Sequence, residues 1–153
     1  MAKAVCYISG NGITGNIYLS QASEDAPTLF SGKINGLLSG DHGMSINVFG
    51  DLTNNFNKCG GHFNPFGKQH GDRNDDERHV GSLGNITATN DSCTFNFEDK
   101  YVKLIGPQSV IGRSIIIYTQ PDDLGKGGNE NSLINGNVGP AIAGGVIGIA
   151  SSM

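Results

Sequence analysis

The chain has 153 residues, 24 of them glycine, with a formal net charge of −4 and a pI of about 5.4. This negative charge argues against nucleic acid or an anionic membrane surface as a partner, because both attract basic proteins. No apolar run is long enough to cross a bilayer, and the glycine content favours many short elements joined by turns.

The alternation of apolar and polar residues predicts a series of short strands. An opening hairpin is predicted with strands at 3–9 and 15–21, because an Asn11-Gly12 turn lies between two alternating runs. Short β-branched runs separated by Gly, Pro, Asn or Asp are typical of an antiparallel sandwich or barrel, so we predict one all-β domain over 1–153. The further predicted strands are 28–34, 43–49, 85–89, 94–98, 101–105, 114–119 and 145–150.

Two stretches do not have a strand pattern. Residues 50–82 and 121–140 are long, polar and rich in Gly and Asn, and no helix of three or more turns is evident. Loops this long in a compact domain are uncommon unless they are functional or disordered. The two loops are therefore expected to be either functional or disordered.

The cysteines favour a reducing compartment. Cys6, Cys59 and Cys93 are an odd number, and the first residues show no apolar signal region. Both features predict free thiols and a cytoplasmic protein rather than a disulfide-stapled secreted one. The glycosylation sequons at 85–87 and 90–92 are then expected to be chance matches.

Three of the four histidines, His62, His70 and His79, lie in the first long loop. Imidazole is a common zinc ligand, and three histidines can hold zinc with a fourth position open to water. A metal would also fix a long loop. Spacing alone leaves a chance grouping of surface histidines as the alternative, because no short metal motif is present.

Several motifs resemble those of the copper/zinc superoxide dismutase family. The zinc loop of that family is similar to the segments that read GGHFNP at 60–65, HG at 70–71 and DERHVG at 76–81. Its electrostatic loop is similar to DDLGKGGNE at 122–130, and its first and last strands are similar to 3–6 and 145–150. The resemblance implies an eight-stranded antiparallel Greek-key β-barrel with two long loops, related to an immunoglobulin-like sandwich. It also implies a homodimer that dismutates superoxide with a cycling copper ion.

The resemblance also implies that most copper ligands are missing. The family pattern HGFHxH corresponds to HGMSIN at 42–47, which puts Ser45 and Asn47 at two ligand positions. Tyr118 stands at the next ligand position, and only His62 matches the histidine that bridges the two metals. Cu(I) favours soft or imidazole ligands, and neutral oxygens bind it weakly. We therefore expect no specific copper binding.

The zinc side is better preserved. His62, His70 and His79 match family zinc ligands, whereas the fourth ligand, an aspartate in the family, corresponds to Ser82. Three histidines and a water are expected to bind zinc more weakly than the family's set. Asp122 matches the family's aspartate that orients ligands on both metal sides. The carboxylates that offer an alternative fourth ligand are Asp72, Asp75 and Asp76.

Other family features are lost. Ala141 stands in place of the arginine that guides superoxide, and Gly144 in place of one disulfide cysteine. Phe56 stands at the position of the other cysteine, with Cys59 nearby but displaced, so no disulfide of the family type is expected. The electrostatic loop keeps the acidic residue Glu130. Asn131 stands in place of a second acid, and Ile134 in place of a lysine.

Three more residues match family positions with structural roles. The resemblance implies that His42 forms hydrogen bonds between loops without touching a metal. It also implies that Arg78 and Asp99 pair and tie the zinc loop to the barrel. None of the three is expected to act on a substrate.

We interpret the chain as a superoxide-dismutase-like protein without dismutase activity, which keeps the barrel and has a candidate zinc site at its three histidines. The alternative is a superoxide dismutase with a remodelled metal site and weak activity, which converts two superoxide ions and two protons to O₂ and H₂O₂. A hydrolytic zinc site and a metal-free scaffold are further alternatives. The expected partners are a second copy, or an active dismutase or its copper chaperone in a regulatory or decoy role. The resemblance implies an interface of Val5, Tyr7, Gly50, Ile111, Gly112, Val146 and Ile149.

Overall fold

A computed structural model describes residues 1–151, and β-strands account for most of its regular structure. The only helical element in that range is a 3₁₀ turn at Asn131–Leu133. This architecture confirms the predicted all-β fold. The strands are β1 (Ala2–Gly10), β2 (Ile13–Gln21), β3 (Thr28–Asn35), β4 (Gly40–Asn47), β5 (Thr53–Phe56), β6 (Ser82–Ala88), β7 (Ser92–Asp99), β8 (Ser114–Tyr118) and β9 (Ala141–Ile149).

Eight of these strands form one antiparallel sheet in the order β6-β4-β8-β9-β1-β2-β3-β7. The chain crosses from β3 to β4 without pairing them, as a Greek-key connection does. The end strands β6 and β7 are consecutive in the chain, and a tight turn joins them at Asn90 and Asp91, which have φ of 53° and 63°. The sheet therefore curls into a nearly closed barrel, as the resemblance implied.

Strict alternation along the strands places the core inside this barrel. Every second residue of β3 is buried, from Thr28 through Phe30 to Ile34. Antiparallel pairing sets Cys6 of β1 opposite Ile17 of β2, and both are buried. Because the side-chain period of a strand is two, one face of β3 fills the core and the other faces outward, whereas β8 is buried at every residue.

The predicted strand at 101–105 is wrong. Within this segment only an isolated bridge, between Lys103 and Ser109, has ladder geometry. The backbone N–H groups that a strand would use are bound by side chains instead. Leu104 and Ile105 donate to Gln21 Oε1 at 2.8 and 3.0 Å. The apolar alternation in this segment therefore reflects a buried loop, held by side-chain oxygens.

The structure also differs from the predicted bounds of other elements. β4 begins three residues before the predicted start, at Gly40, and ends at Asn47. β9 begins at Ala141, four residues early. The short strand β5 lies inside the first loop, where none was predicted. None of the described helices is long and apolar enough to span a membrane.

Candidate metal centre

Three histidine side chains of the first loop meet in one cluster. His62, His70 and His79 each offer a ring nitrogen, and these atoms lie within 4.8 Å of one another. The Nδ1 atoms of His62 and His79 are 3.1 Å apart. Two nitrogens that are each roughly 2.0–2.1 Å from a tetrahedral zinc lie about 3.3 Å from one another. The cluster therefore has dimensions that fit a zinc ion.

Backbone hydrogen bonds bring the two ends of the loop to β4. Phe63 N–H donates to Ile46 O at 2.8 Å, and Ile46 N–H donates to Gly81 O at 2.9 Å. Phe63 follows His62 in the chain, and Gly81 lies two residues after His79. Both histidines are therefore fixed beside the same strand, although 16 residues separate them along the loop.

His70 is oriented through both of its ring nitrogens. Its Nε2–H donates to Asp122 Oδ1 at 2.7 Å, and the two side chains are 0% and 2% exposed. Because a carboxylate only accepts, the proton of the neutral ring is on Nε2 and the lone pair is on Nδ1. Ser82 Oγ lies 2.9 Å from that Nδ1 and donates to it. A zinc ion would take the same lone pair.

Asn85 holds Asp122 by hydrogen bonds, and Gly136 leaves space for its carboxylate. Sequence reasoning identified neither residue. Asn85 Nδ2–H donates to Asp122 O at 2.9 Å, and Asp122 N–H donates to Asn85 Oδ1 at 2.7 Å. Gly136 has φ of +73°, and a Cβ there would overlap Asp122 Oδ1 and lie 2.7 Å from His70 Nε2. The sequence offers Asn85 only as part of a sequon, and the Asn135-Gly136 dipeptide only as a turn signal.

Burial keeps two of the cluster histidines neutral. Loss of water, followed by repulsion from His70 and His79, lowers the pKa of His62 to about 3. Burial is also the largest cause that lowers the pKa of His79, to about 4. Only a neutral imidazole can ligate a metal. Both rings are therefore in the ligating form at neutral pH.

The predicted alternatives for a fourth zinc ligand lie outside this cluster. Asp75 Oδ2 accepts from Asp72 N–H at 2.9 Å, and Asp72 Oδ1 accepts from Arg73 N–H at 2.6 Å. Asp76 pairs with Lys100 at 3.0 Å on the surface. At the position of the family's fourth ligand, the structure places the Ser82 hydroxyl 2.9 Å from His70 Nδ1.

The three degenerate copper positions form a closed group, which we call the Ser–Asn–Tyr cluster: Ser45, Asn47 and Tyr118. Ser45 Oγ–H donates to Asn47 Oδ1 at 2.7 Å, so Tyr118 Oη–H is the donor to Ser45 Oγ at 2.9 Å. Asn47 Nδ2 donates to Gly60 O at 2.9 Å and to Tyr118 Oη at 3.3 Å. All three side chains are buried. They satisfy one another's hydrogen bonds.

This donor set does not fit a cycling copper ion. Burial raises the pKa of Tyr118, so its phenol stays protonated and offers no phenolate. Nε2 of His62 is buried and has no hydrogen-bond partner among the described residues. One imidazole among neutral hydroxyl and amide oxygens is a poor ligand set for Cu(I). The three-histidine cluster therefore has dimensions that fit zinc, and the Ser–Asn–Tyr cluster does not fit a cycling copper ion.

A cavity of about 380 Å³ opens beside His62 and Tyr118. No lysine or arginine is among its described lining residues, and Ala141 lines a different cavity. An anion would therefore meet no fixed positive side chain on its way to His62. The residues that line the cavity are Asn47, Gly60, Gly61, His62, Asn64, His79, Tyr118, Ile134, Asn135, Val138 and Gly139.

The positions of the family disulfide are filled by packing. The ring of Phe56 lies 3.0 Å from where a Cβ on Gly144 would stand. Cys59 is buried and is a free thiol, as are Cys6 and Cys93. Phe56 and Cys59 belong to a small apolar cluster that is separate from the barrel core.

Arg78 and Asp99 form the buried ion pair that the resemblance implied. Arg78 Nη1 lies 2.8 Å from Asp99 Oδ2, and both side chains are 0% exposed. The same guanidinium donates to His79 O at 2.9 Å and to Val80 O at 2.6 Å. It therefore fixes the backbone carbonyls of His79 and of the residue that follows it.

His42 joins two chain segments, and the contacts of its two ring nitrogens are with backbone carbonyls rather than with the histidine cluster. Its Nδ1 lies 2.8 Å from Tyr118 O, and its Nε2 lies 2.8 Å from Leu38 O. These contacts tie the end of β8 to the turn before β4. The role is architectural.

Sequence comparisons agree with the barrel and the histidine cluster. A family model for copper/zinc superoxide dismutase (SODC) matches residues 13–147. The chain belongs to the copper/zinc superoxide dismutase family. Cu-Zn superoxide dismutase A of Xenopus laevis is 45% identical to it over 148 residues, which cover 97% of this chain and 98% of the relative. Cu-Zn superoxide dismutase 5 of Dictyostelium discoideum is 43% identical over 149 residues, again 97% and 98%.

Proposed function

We propose that this chain is a zinc-holding member of the copper/zinc superoxide dismutase family that does not dismutate superoxide by cycling copper. The carrying observation is the Ser–Asn–Tyr cluster, in which neutral, buried and mutually hydrogen-bonded groups occupy the copper-ligand positions. A copper ion held by the family's full ligand set would supply one-electron chemistry at this position. Without a set of imidazoles at the former copper position, this chain has no means there of holding Cu(I) and Cu(II) in turn.

In this proposal, zinc has a structural role. His62, His70 and His79 would hold the ion, and Asp122 would keep the His70 lone pair directed at it. Asp122 belongs to the second long loop, and so does Leu133, whose carbonyl accepts from His70 N–H at 2.9 Å. Zinc would thereby couple the two loops through one histidine, and binding only the native state would raise its stability.

We further propose that the chain forms a homodimer. Exposed apolar side chains support this, because Tyr7, Val146 and Ile149 are 59%, 39% and 79% exposed. A Cβ on Gly50 would meet Gly112 O and lie 3.2 Å from a Val146 methyl group, so these three residues share one surface. Pairing with an active dismutase or its copper chaperone would use the same face. The free thiols favour the cytoplasm as the compartment.

The second candidate is a dismutase with a remodelled site, favoured by the names of the two relatives. A superoxide assay after reconstitution with copper and zinc separates the candidates. After a chelator has removed unbound copper, we expect no activity above the background of the assay. A triple variant, Ser45→His with Asn47→His and Tyr118→His, is the positive control for a restored ligand set. Turnover by the unmodified chain at a level similar to the control would contradict the proposal.

A further inference from the structure

The Ser–Asn–Tyr cluster joins segments that are far apart in the chain. Ser45 and Asn47 lie on β4, Tyr118 is the last residue of β8, and Gly60 lies in the first loop. The side-chain contacts to Tyr118 span 73 and 71 positions. A metal ion ligated from the same segments would make the same connections. We propose that the cluster is a hydrogen-bonded clasp that replaces the second metal ion, so that the native state needs neither that ion nor a disulfide.

The clasp pairs all of its polar hydrogens within the cluster and with the carbonyl of Gly60. The three side chains carry four polar hydrogens: one on Ser45, one on Tyr118 and two on Asn47. The structure provides an acceptor for each of the four: Asn47 Oδ1, Ser45 Oγ, Gly60 O and Tyr118 Oη. Buried polar networks of this kind stabilise a structure when every member is paired, and destabilise it when one is removed.

The ring of Tyr118 extends the clasp into apolar packing. It belongs to the cluster of Cys59, Ile116 and Val138, against which Phe56 packs. Phe56 occupies the free space over Gly144, where the family places its disulfide. Tyr118 therefore belongs to the clasp through its hydroxyl, and through its ring to the apolar cluster against which Phe56 packs. This arrangement makes both cross-links dispensable at the same time.

The decisive variant is Tyr118→Phe, which keeps the ring and removes the hydroxyl. Ser45 Oγ–H would keep its acceptor, but Asn47 and the Ser45 oxygen would each lose a buried partner. We expect the Tm of the zinc-loaded protein to fall by roughly 2–10 °C. The matched control is Tyr18→Phe, because Tyr18 is 41% exposed. That change is expected to move Tm by no more than about 2 °C.

Two further measurements keep the proposal testable if Tyr118→Phe does not fold. Ser45→Ala is expected to lower Tm by a similar amount, and the double variant by less than the sum, because both changes break the same bond. In the unmodified chain with zinc at the three histidines, neither a thiol reductant nor equimolar copper should shift Tm. The clasp proposal is overturned if Tyr118→Phe, Ser45→Ala and Tyr18→Phe all have the same Tm. It is also overturned if the Tm losses of Tyr118→Phe and Ser45→Ala add up in the double variant, or if a reductant lowers the Tm of the unmodified chain.

These outcomes are distinguishable from failure of the proposed function. If copper binds the unmodified chain stoichiometrically and raises its Tm, both proposals fail. If the chain excludes copper but Tyr118→Phe has the same Tm as Tyr18→Phe, only the clasp proposal fails.

Discussion

Replacing Asp122 by asparagine tests whether the His70 contact prepares the zinc site. The carboxylate accepts the His70 Nε2–H at 2.7 Å in a region that excludes water. Hydrogen bonds to charged groups contribute about 1.5–3 kcal/mol, and neutral ones about 0.5–1.5 kcal/mol. Replacing the charged acceptor by a neutral one should therefore weaken the free energy of zinc binding by about 1–2 kcal/mol, because His70 is less well oriented and less basic. This change corresponds to a roughly 5- to 30-fold weaker zinc affinity.

A zinc competition titration against a chromophoric chelator measures this change directly. The matched control is Asp123→Asn, because Asp123 bonds Ser132 and Asn137 in the second loop and touches no histidine of the cluster. It should leave zinc affinity within about twofold of the unmodified chain. If Asp122→Asn and Asp123→Asn have the same affinity as the unmodified protein, Asp122 does not orient a zinc ligand and the reasoning is refuted.

Three further outcomes are expected. Ser82→Asp restores a carboxylate beside His70 and should tighten zinc binding at least about tenfold in the same titration, and no gain would show that Ser82 does not face the ion. Arg78→Met leaves Asp99 buried without its partner and should lower the free energy of unfolding in urea by about 3–5 kcal/mol, whereas Lys100→Met, at an exposed pair, should leave the curve nearly unchanged. In the metal-free protein, the His62 contribution to stability should be constant above about pH 7 and fall below pH 6.5, because unfolded His62 binds a proton there while the folded ring stays neutral to about pH 3. The slope for this residue is about 1.4 kcal/mol per pH unit, and His62→Gln should remove that share, whereas the share of His79, whose pKa is also lowered, remains.

The fold could be predicted because its signals are local. Alternation along β1 to β3 and the Asn11-Gly12 turn follow from strand period and turn chemistry, and both are present in the structure. The segment at 101–105 has the same alternation and is a loop. Its ladder partners are replaced by Gln21 and Asp99, which lie outside the segment. Periodicity within a segment carries no information about such long-range side-chain contacts.

The site could be predicted in part. The loop spacing and the family resemblance indicated His62, His70 and His79, and the structure places them together. The roles of Asn85 and Gly136 could not be inferred, because they depend on how β6 and the second loop approach Asp122 in space.

The Ser–Asn–Tyr cluster shows the same limit from another side. The sequence shows three lost ligands, each of which is a separate substitution. Only the structure shows that the three replacements pair with one another. Hydrogen-bond complementarity between β4 and β8 is a property of their register and not of either segment alone.

Metal stoichiometry after loading is the most direct test of the central claim that this barrel holds one ion at the three histidines and none at the former copper position. The purified chain is incubated with an excess of zinc and copper, dialysed, and analysed by mass spectrometry for both elements. The account predicts one metal ion per chain in total, because the Ser–Asn–Tyr cluster offers no imidazole for a second ion. Stoichiometric copper retained at His62, Ser45, Asn47 and Tyr118 would contradict it.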